Sequence, residues 1–409
     1  MYKIIILCVL VLGFIYNLIT EALARKQKDK PLDPRVADIY DPEKYTTWRE
    51  YTAEKAHIRL IFGCFEFILM ALLFAFDAFS AVYGILPGGI YTRSLLLLTG
   101  YTAVMTVISI PFDYVSSIVI EGKYGFNKST TATFVGDTVK GFIVNLGLNC
   151  GLYCLVQSLY DALGNTFFIA AYAAIALFVV VFSMLSTFFQ KLYNKFTPLE
   201  EGELRDNLTR MFAAAGYKLK DIYVMDASRR TTKVNAFCSG LGRFKKIVLY
   251  DNLVNNYTPG EITAVFAHEL AHFKHRDTAK GTALSLLSML VMTLLIAAFA
   301  IVDQISVDFG FEGASIIFGL IALMGAILGP VNTVIGIPAA VLSRSYERRA
   351  DAMAVDSGYG EDMISALKKL SKDNFADLNP HPFTVAVEYS HPPIAERIDL
   401  IQRRMGARN

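Results

Sequence analysis

Long apolar stretches separate the polar parts of the chain. Seven of them are long enough to cross a bilayer, because a spanning helix needs about 20 mostly apolar residues. The stretches run over residues 4–23, 60–83, 95–120, 141–162, 166–189, 281–302 and 315–342. The last one exceeds a single straight crossing and contains Pro330 and Pro338, so we expect a kink or break in it. The pattern therefore predicts a mainly α-helical membrane protein with seven transmembrane helices.

The first stretch has two interpretations. Ala22-Leu23-Ala24 resembles a signal-peptidase site, which would make this stretch a cleaved signal peptide. However, a cationic cluster follows the apolar residues, and Lys and Arg near the end of a span stay in the cytoplasm. The cluster consists of Arg25, Lys26, Lys28 and Lys30. The charges of the other loops fit the same arrangement, so we expect a retained first helix, an outer N-terminus and an inner C-terminus.

The predicted crossings divide the chain into four parts. Residues 1–189 hold the first five helices and residues 281–342 the last two, whereas residues 190–280 and 343–409 are polar. Each polar segment is small for a domain, and both are expected on the cytoplasmic side. We therefore expect them to fold together as one α+β domain at that face. Its expected elements are a helix over 200–215 and strands over 221–225, 233–238 and 246–250.

The composition agrees with a membrane location. Hydrophobic residues make up 54% of the 409 residues and charged residues only 19%, compared with roughly 25% in a soluble domain. These values exclude a disordered chain. The formal net charge of +2 excludes a strongly basic nucleic-acid-binding protein. We therefore expect contacts with membrane lipid and none with nucleic acid.

The five cysteines do not form a disulfide framework, because their number is odd and four of them lie in apolar stretches. Cys150 and Cys154 lie one helical turn apart and could be metal ligands. Small buried hydrophobic residues are the better interpretation.

Several polar residues fall inside predicted spans, where ionisable groups are costly. They are Glu66, Asp77, Asp113, Asn145 and Asn149. Either they lie near helix ends or pair between helices, or they face a polar, partly hydrated interior. The sequence leaves both interpretations open.

A helix start is predicted at Thr258. Thr258 is a suitable N-cap, Pro259 suits the first helical position, and Glu261 completes a capping box. The helix that follows contains His-Glu-Leu-Ala-His at residues 268–272. The candidate chemistry therefore lies on an element with a well-defined beginning.

His268 and His272 are candidate zinc ligands. They are four residues apart and share one helical face, so both imidazoles can reach one ion, and neutral imidazole suits Zn²⁺. Glu269 lies about 100° round the helix and can reach a water molecule beside the metal without being a ligand. In a hydrolytic site the metal lowers the pKa of the water and a carboxylate accepts its proton. We predict one catalytic zinc per chain.

The third ligand must come from elsewhere, because a catalytic zinc site has three protein ligands and one open position. His275 follows His272 closely but lies at the expected water boundary, where a solvated or outer histidine is the better interpretation. Glu347 and Asp351 are four residues apart and share a helical face. One of them, preferably Glu347, can bind the metal while the other accepts the free N–H of a ligand histidine. An ordinary charged helix end is the alternative.

These two motifs together resemble the CAAX prenyl protease type I family of integral-membrane zinc metalloproteases. The resemblance begins with Glu347-x-x-x-Asp351 after His268-Glu-x-x-His272, each beside a predicted span. Further segments are similar to motifs of the family: Glu121–Lys128, Asn194–Leu204, Asn235-Ala236-Phe237, and Ser390–Pro393 with Arg397. The similarity extends over nearly the whole chain.

The resemblance implies a role for each residue of the zinc site. His268, His272 and Glu347 would be the zinc ligands, and Glu269 would be the general base. Asp351 would be the hydrogen-bond partner of a ligand histidine.

The resemblance also implies groups that contact the substrate. Asn235, Ala236 and Phe237 would belong to an edge strand to which an extended peptide adds as a further strand. His391 and Arg397 would contact substrate or stabilise the negative charge that develops on the carbonyl oxygen.

The implied function is that of a zinc endopeptidase that cleaves peptide bonds at the cytoplasmic membrane face. CAAX-type C-terminal processing of prenylated proteins would be its task. Members of the family enclose a large hydrated chamber, which would account for Glu66, Asp77 and Asn149.

Two alternatives remain open at this point. Residues 226–245 match eukaryotic members only loosely and the chain is shorter than they are, which favours a bacterial quality-control protease that cleaves membrane proteins without a prenyl group. The bacterial inner membrane and the endoplasmic reticulum membrane are then both candidate locations. A transporter or channel with a structural metal site is an alternative of another class.

Overall fold

Helices dominate the fold. The computed structural model describes residues 1–184, 194–239 and 244–407, and it confirms a mainly helical chain. The helices of the N-terminal half are α1 (Tyr2–Gln27), α2 (Pro42–Ala75), α3 (Ala78–Ile85), α4 (Ile90–Tyr114), α5 (Glu121–Lys123), α6 (Thr131–Leu163) and α7 (Phe167–Met184). Those of the C-terminal half are α8 (Glu203–Ala214), α9 (Asp251–Asn256), α10 (Pro259–Lys274), α11 (Asp277–Ile301), α12 (Asp303–Val307), α13 (Ile316–Ala322), α14 (Leu328–Asp356), α15 (Gly360–Asp373), α16 (Pro382–Glu388) and α17 (Ile394–Gly406).

Six helical stretches among the described residues are long and apolar enough to span a membrane. They are Tyr2–Gln27, Pro42–Ala75, Ile90–Lys123, Thr131–Val181, Asp277–Ile301 and Ile316–Asp356. The stretch Thr131–Val181 contains most of α6 and α7, which are joined by the 3-10 turn Gly164–Thr166. The predicted fourth and fifth crossings therefore both begin within one continuous candidate span. Residues 185–189 of the predicted fifth crossing lie outside the described residues. Seven crossings stay a prediction.

The break expected near Pro330 is a π-helical turn. This turn, Leu323–Ile327, joins α13 to α14, and α14 then continues through Pro338. A π-helical turn is expected here because proline donates no backbone hydrogen bond and its ring clashes with the carbonyl four residues earlier. Helix α1 approaches closely at this point, since a Cβ on Gly13 would lie 2.7 Å from Cγ of Pro330.

The polar residues of the predicted spans have partners in two cases. Asp77 forms an ion pair with Lys3 at 2.6 Å, and Nδ2 of Asn149 donates to Oδ1 of Asn145 at 3.1 Å. The Lys3 contact favours pairing for Asp77, whereas Asn145 and Asn149 pair within α6 and leave both interpretations open. Glu66 is half-buried in α2. A hydrated chamber stays a prediction.

Four strands form one sheet. They are β1 (Phe196–Pro198), β2 (Lys218–Met225), β3 (Ala236–Ser239) and β4 (Phe244–Tyr250), in the order β1-β2-β4-β3. Strands β2 and β4 are parallel, whereas β1 and β3 are antiparallel to their neighbours. Strand β3 begins at Ala236 rather than 233, because side chains bond the backbone before it: Asn252 donates to the carbonyl of Lys233, and Asn374 bonds the N–H and carbonyl of Val234.

Residues from both polar segments, 190–280 and 343–409, pack around α10. On one side, Ala264 lies in a buried cluster with Ala354 and Leu367 of the C-terminal segment. On the other side, Phe266 packs with Ile247 of the sheet. Helix α10 is therefore enclosed between the sheet and the C-terminal helices, which gives residues 268–272 a fixed position.

Candidate metal centre

The capping box of α10 is present as predicted. The Thr258 hydroxyl accepts a hydrogen bond from the N–H of Glu261, and the Glu261 carboxylate accepts one from the N–H of Thr258. Ser365 and Lys369 of α15 also donate to the Glu261 carboxylate, at 2.6 and 2.8 Å. These contacts attach the start of α10 to the C-terminal segment and fix the direction in which its histidines point.

His268, His272 and Glu347 form a cluster whose ligand atoms lie within 4.8 Å of one another. Nε2 of His268 is 3.3 Å from Nε2 of His272 and 3.3 Å from Oε2 of Glu347. Nε2 of His272 is 3.3 Å from Oε1 of Glu347. The fold thus brings together α10 and α14, which are far apart in the sequence.

The donor set fits a zinc ion. Ligand atoms around a tetrahedral zinc lie about 3.3 Å apart, because each bond is about 2.0–2.1 Å long. Oε2 of Glu347 is buried without a hydrogen-bond partner among the described residues, and its ion pair with Arg397 is long, at 3.8 Å. A buried carboxylate oxygen without a hydrogen bond is costly, and a bound cation would satisfy it. Two histidines and one carboxylate leave a fourth position open, as hydrolytic zinc sites require.

The outer nitrogen of His268 faces a buried carboxylate. Its Nδ1 lies 2.9 Å from Oδ1 of Asp351, which is 1% exposed. Arg397 holds this carboxylate from the other side, since Nη2 donates to Oδ1 at 2.6 Å and Nε donates to Oδ2 at 2.8 Å. The two-pronged contact fixes Asp351, which in turn directs Nε2 of His268 toward the cluster.

His272 has a corresponding partner that the sequence analysis missed. Its Nδ1 lies 3.1 Å from Oδ2 of Asp277, and Nη2 of Arg349 donates to both oxygens of Asp277, at 2.6 and 2.8 Å. Asp277 begins α11 directly after Arg276, whose φ of 57° allows the tight turn that brings the carboxylate back to His272. The only signal in the sequence is an Asp five residues after the second histidine.

The carboxylates favour protonated histidines when no metal is bound. Burial alone would lower the pKa of His268, but the neighbouring carboxylates of Asp351 and Glu347 outweigh burial and raise this pKa to about 9. Burial also lowers the pKa of His272, but the carboxylates of Glu347 and Asp277 outweigh burial, so that this pKa is raised as well. Because a metal binds neutral imidazole, metal and protons compete for the site.

A cavity of about 970 Å³ opens beside the cluster. Glu269, which is half-buried, lines it together with His272 and Glu347. The cavity continues between α11 and α14 and reaches Ser288 and Asn332, which lie within candidate spans. Glu269 is therefore next to the candidate metal ligands and on the wall of a cavity large enough for part of a substrate.

His391 and Arg397 differ in their surroundings. Nε2 of His391 is 3.4 Å from Oε1 of Glu347, and the His391 side chain is 59% exposed. Arg397 is only 6% exposed, with its guanidinium on Asp351. A direct contact of either residue with substrate stays a prediction.

Asn235 lies immediately before β3 and is exposed. Its carbonyl accepts from the N–H of Tyr250 at 3.1 Å, so the residue is aligned with the sheet. The Asn374 side chain bonds both backbone groups of Val234, at 2.9 and 3.1 Å. Because β3 is the last strand in the order of the described sheet, Ala236 and Phe237 belong to an edge strand. Substrate binding there stays a prediction.

The other metal-ligand candidates lie apart from this cluster. His275 is the C-cap of α10 and does not belong to the described ligand group. Cys150 and Cys154 of α6 pack against the apolar core of the membrane-side helices. Their surroundings favour the interpretation as small hydrophobic residues.

Asp277→Asn is expected to weaken zinc binding about 10–100-fold, because partners of metal-bound histidines contribute about that much to metal affinity. Asparagine keeps the size of Asp277 but no longer provides a charged acceptor for His272 and Arg349. Competition with a chromophoric chelator measures the affinity. Asp356→Asn, which removes an exposed pair with Arg404, is the matched control. Equal zinc affinity in the Asp277 variant and the unaltered protein would contradict this role.

Comparisons with known proteins agree with the fold and the ligand cluster. A family model described as Peptidase family M48 matches residues 198–405. A second, described as CAAX prenyl protease N-terminal, five membrane helices, matches residues 3–195. The first match includes the whole ligand cluster, and the two together extend over most of the chain.

Individual relatives match over most of their length. The CAAX prenyl protease 1 homolog of Oryza sativa subsp. japonica is 29% identical, over 97% of this chain and 96% of its own. The probable CAAX prenyl protease 1 of Schizosaccharomyces pombe is 30% identical, over 90% of this chain and 81% of its own. The crystal structure of S. mikatae Ste24p has a TM-score of 0.90 at 26% identity and covers 98% of this chain and 99% of that one. The chain therefore belongs to peptidase family M48, within the CAAX prenyl protease type I family that its motifs resemble, and it is an integral-membrane metalloprotease.

Proposed function

We propose that this metalloprotease is a zinc endopeptidase that acts at the cytoplasmic membrane face and processes the C-termini of prenylated CAAX proteins. The observation that carries the proposal is the cluster of His268, His272 and Glu347 beside a cavity that continues between membrane-spanning helices. The names of the relatives from Oryza sativa and Schizosaccharomyces pombe support the substrate class.

Each residue of the site has a different role in hydrolysis. His268, His272 and Glu347 would hold the zinc, which supplies a Lewis acid that acidifies water and polarises the scissile carbonyl. Glu269 accepts a proton from the attacking water and later delivers it to the leaving amine. Asp351 keeps His268 in the orientation and tautomer that metal binding needs.

Two further surfaces would hold the substrate. The strand that follows Asn235 offers backbone groups with which an extended peptide can pair. His391, exposed beside the metal ligands, donates to the carbonyl oxygen as negative charge develops there. Arg397 supports this arrangement by fixing Asp351.

The cavity suits a substrate that is part peptide and part lipid. Its lining is polar at Glu269, whereas Leu284, Ile335 and Leu342 line it on membrane-spanning helices. Ligand sites of this kind are mostly apolar with a few placed polar groups. An isoprenoid chain attached near the scissile bond would place its apolar part between α11 and α14.

The transporter or channel interpretation has less support. A structural zinc site is normally closed by four ligands, whereas this cluster has three and a free carboxylate, Glu269, beside it. The charges of the loops support a cytoplasmic catalytic side, in either the endoplasmic reticulum membrane or a bacterial inner membrane.

Paired peptides test the substrate class. Two peptides of one sequence end in a CAAX motif and differ only in whether the cysteine sulfur carries a prenyl or a methyl group. We expect cleavage directly after the modified cysteine, and at least about tenfold faster for the prenylated peptide, because burial of each CH₂ contributes about 0.8 kcal/mol. Mass spectrometry of products formed by purified protein in lipid discs measures site and rate.

Metal removal provides the control for this experiment. A chelator is expected to stop cleavage, and zinc in slight excess is expected to restore it. Equal rates for the two peptides would favour a quality-control protease over a CAAX protease. Cleavage that survives complete metal removal would contradict the zinc mechanism itself.

A further inference from the structure

Arg344 is buried against the C-terminal turn of α16. It lies on α14, three residues before Glu347, and is 8% exposed. Its Nη1 donates to the carbonyl oxygens of Val385 and Tyr389, both at 2.7 Å, and its Nη2 donates to that of Ala386 at 3.2 Å. We call this contact the three-carbonyl clamp.

The chemistry of the clamp explains how a guanidinium is accommodated there. The last carbonyls of a helix have no partner within the helix and carry the negative end of its dipole. A buried cation needs such compensation, and the planar fork of Arg344 serves several carbonyls at once. The clamp therefore joins the end of α16 firmly to the helix that carries Glu347.

The clamped carbonyls lie a few residues before His391 in the chain. Tyr389 is two residues before it, and Nε2 of His391 lies 3.4 Å from Oε1 of Glu347. On the other side, prolines 392–393 restrict the backbone, and α17 then begins and is held through Arg397 on Asp351. The segment with His391 is thus anchored at both ends.

The position of His391 depends on these anchors. Its side chain is 59% exposed, and the contact of Nδ1 with Oγ of the adjoining Ser390 at 2.8 Å is local. A side chain with so little packing around it is located by its backbone. Without Arg344, the backbone before His391 would lose its three hydrogen bonds to this side chain of α14.

We propose that Arg344 is a positioning residue for peptide cleavage, which places His391 at the metal centre by clamping the end of α16. This inference rests on the proposed function, because Arg344 acts through the role assigned to His391. It predicts a defect in the rate of the reaction with the metal still bound.

Replacement of Arg344 tests the clamp. Arg344→Gln is expected to lower kcat about 10–100-fold, because small displacements of a reacting group have effects of that size. KM and zinc content should stay near those of the unaltered protein. Arg344→Lys keeps the charge but loses the planar fork, so an intermediate kcat is expected. Arg404→Gln, which breaks an exposed pair with Asp356, is the control and should leave kcat unchanged.

A double variant separates positioning from a general structural role. If Arg344 acts through His391, Arg344→Gln combined with His391→Ala should be no slower than His391→Ala alone, to within about twofold. Effects of the two substitutions that multiply would overturn the proposal. A His391→Ala variant with full activity would overturn it as well.

Hydrogen exchange gives a readout that does not need activity. Arg344→Gln is expected to speed amide exchange over residues 386–391 while exchange in α10 stays the same. Unchanged exchange over 386–391 would overturn the clamp whatever the peptides show. If the unaltered protein cleaves neither peptide, the proposed function fails, and exchange still decides whether the clamp exists.

Discussion

Glu347→Gln is expected to give a folded protein that retains little zinc and cleaves no peptide at a measurable rate. Glutamine has the size of glutamate but presents a neutral amide, a much weaker zinc ligand, at the point where Oε2 of Glu347 is buried without a hydrogen bond from the described residues. The loss of zinc affinity should exceed the 10–100-fold loss expected when a partner of a ligand histidine, such as Asp277, is replaced. Elemental analysis of dialysed protein and the prenylated-peptide assay measure the two effects.

The control for this variant is Glu361→Gln, the same substitution at an exposed position in the first turn of α15. It should bind one zinc per chain and retain full activity. One zinc per chain in the Glu347 variant would mean that another group completes the site, and His391 and His275 are the histidines to examine next.

Glu269→Gln is expected to separate metal binding from catalysis. The variant should bind zinc as tightly as the unaltered protein, because Glu269 is not one of the clustered ligands. Cleavage should fall about 10²–10⁴-fold, the usual contribution of a general base. Single-turnover cleavage of the prenylated peptide at saturating enzyme measures the chemical step alone.

Peptide binding distinguishes the base from a binding residue. The affinity of the Glu269 variant for the prenylated peptide, measured by fluorescence anisotropy, should stay near that of the unaltered protein. A cleavage rate within tenfold of normal would refute the assignment of Glu269 as the base.

Sequence reasoning succeeded where the signal is local. The capping box at Thr258 involves residues three apart, and the face shared by His268 and His272 follows from helical spacing alone. The long apolar runs similarly reveal helices without any knowledge of packing. The mainly helical membrane fold and the metalloprotease family are confirmed, whereas the individual roles of the site residues stay predictions.

Contacts between distant elements could not be found in this way. The pairing of Asp277 with His272 depends on a left-handed residue at Arg276, and nothing in the sequence distinguishes this Asp from other charged residues at a helix start. The clamp of Arg344 depends on where α16 packs against α14. Both contacts join ordinary surface-type residues whose importance comes only from their neighbours in space.

The periodicity of apolar residues also does not predict the order of strands or whether two helices are continuous. Strands β2, β3 and β4 were predicted and β1 was not, and the parallel pairing of β2 with β4 and the edge position of β3 follow from the connections between them. Likewise, two apolar stretches predicted two crossings, whereas α6 and α7 meet at a three-residue turn within one continuous helical candidate.

The separation of His268 from Asp351 by 83 residues has a consequence for biosynthesis. A ribosome adds about 5–20 residues per second, so the histidines emerge on the order of ten seconds before the carboxylates that complete their site. Two apolar helices must enter the bilayer in that interval. With the proposed ligand set, the nascent polypeptide therefore has no competent hydrolase beside the translocation machinery until its insertion is almost finished.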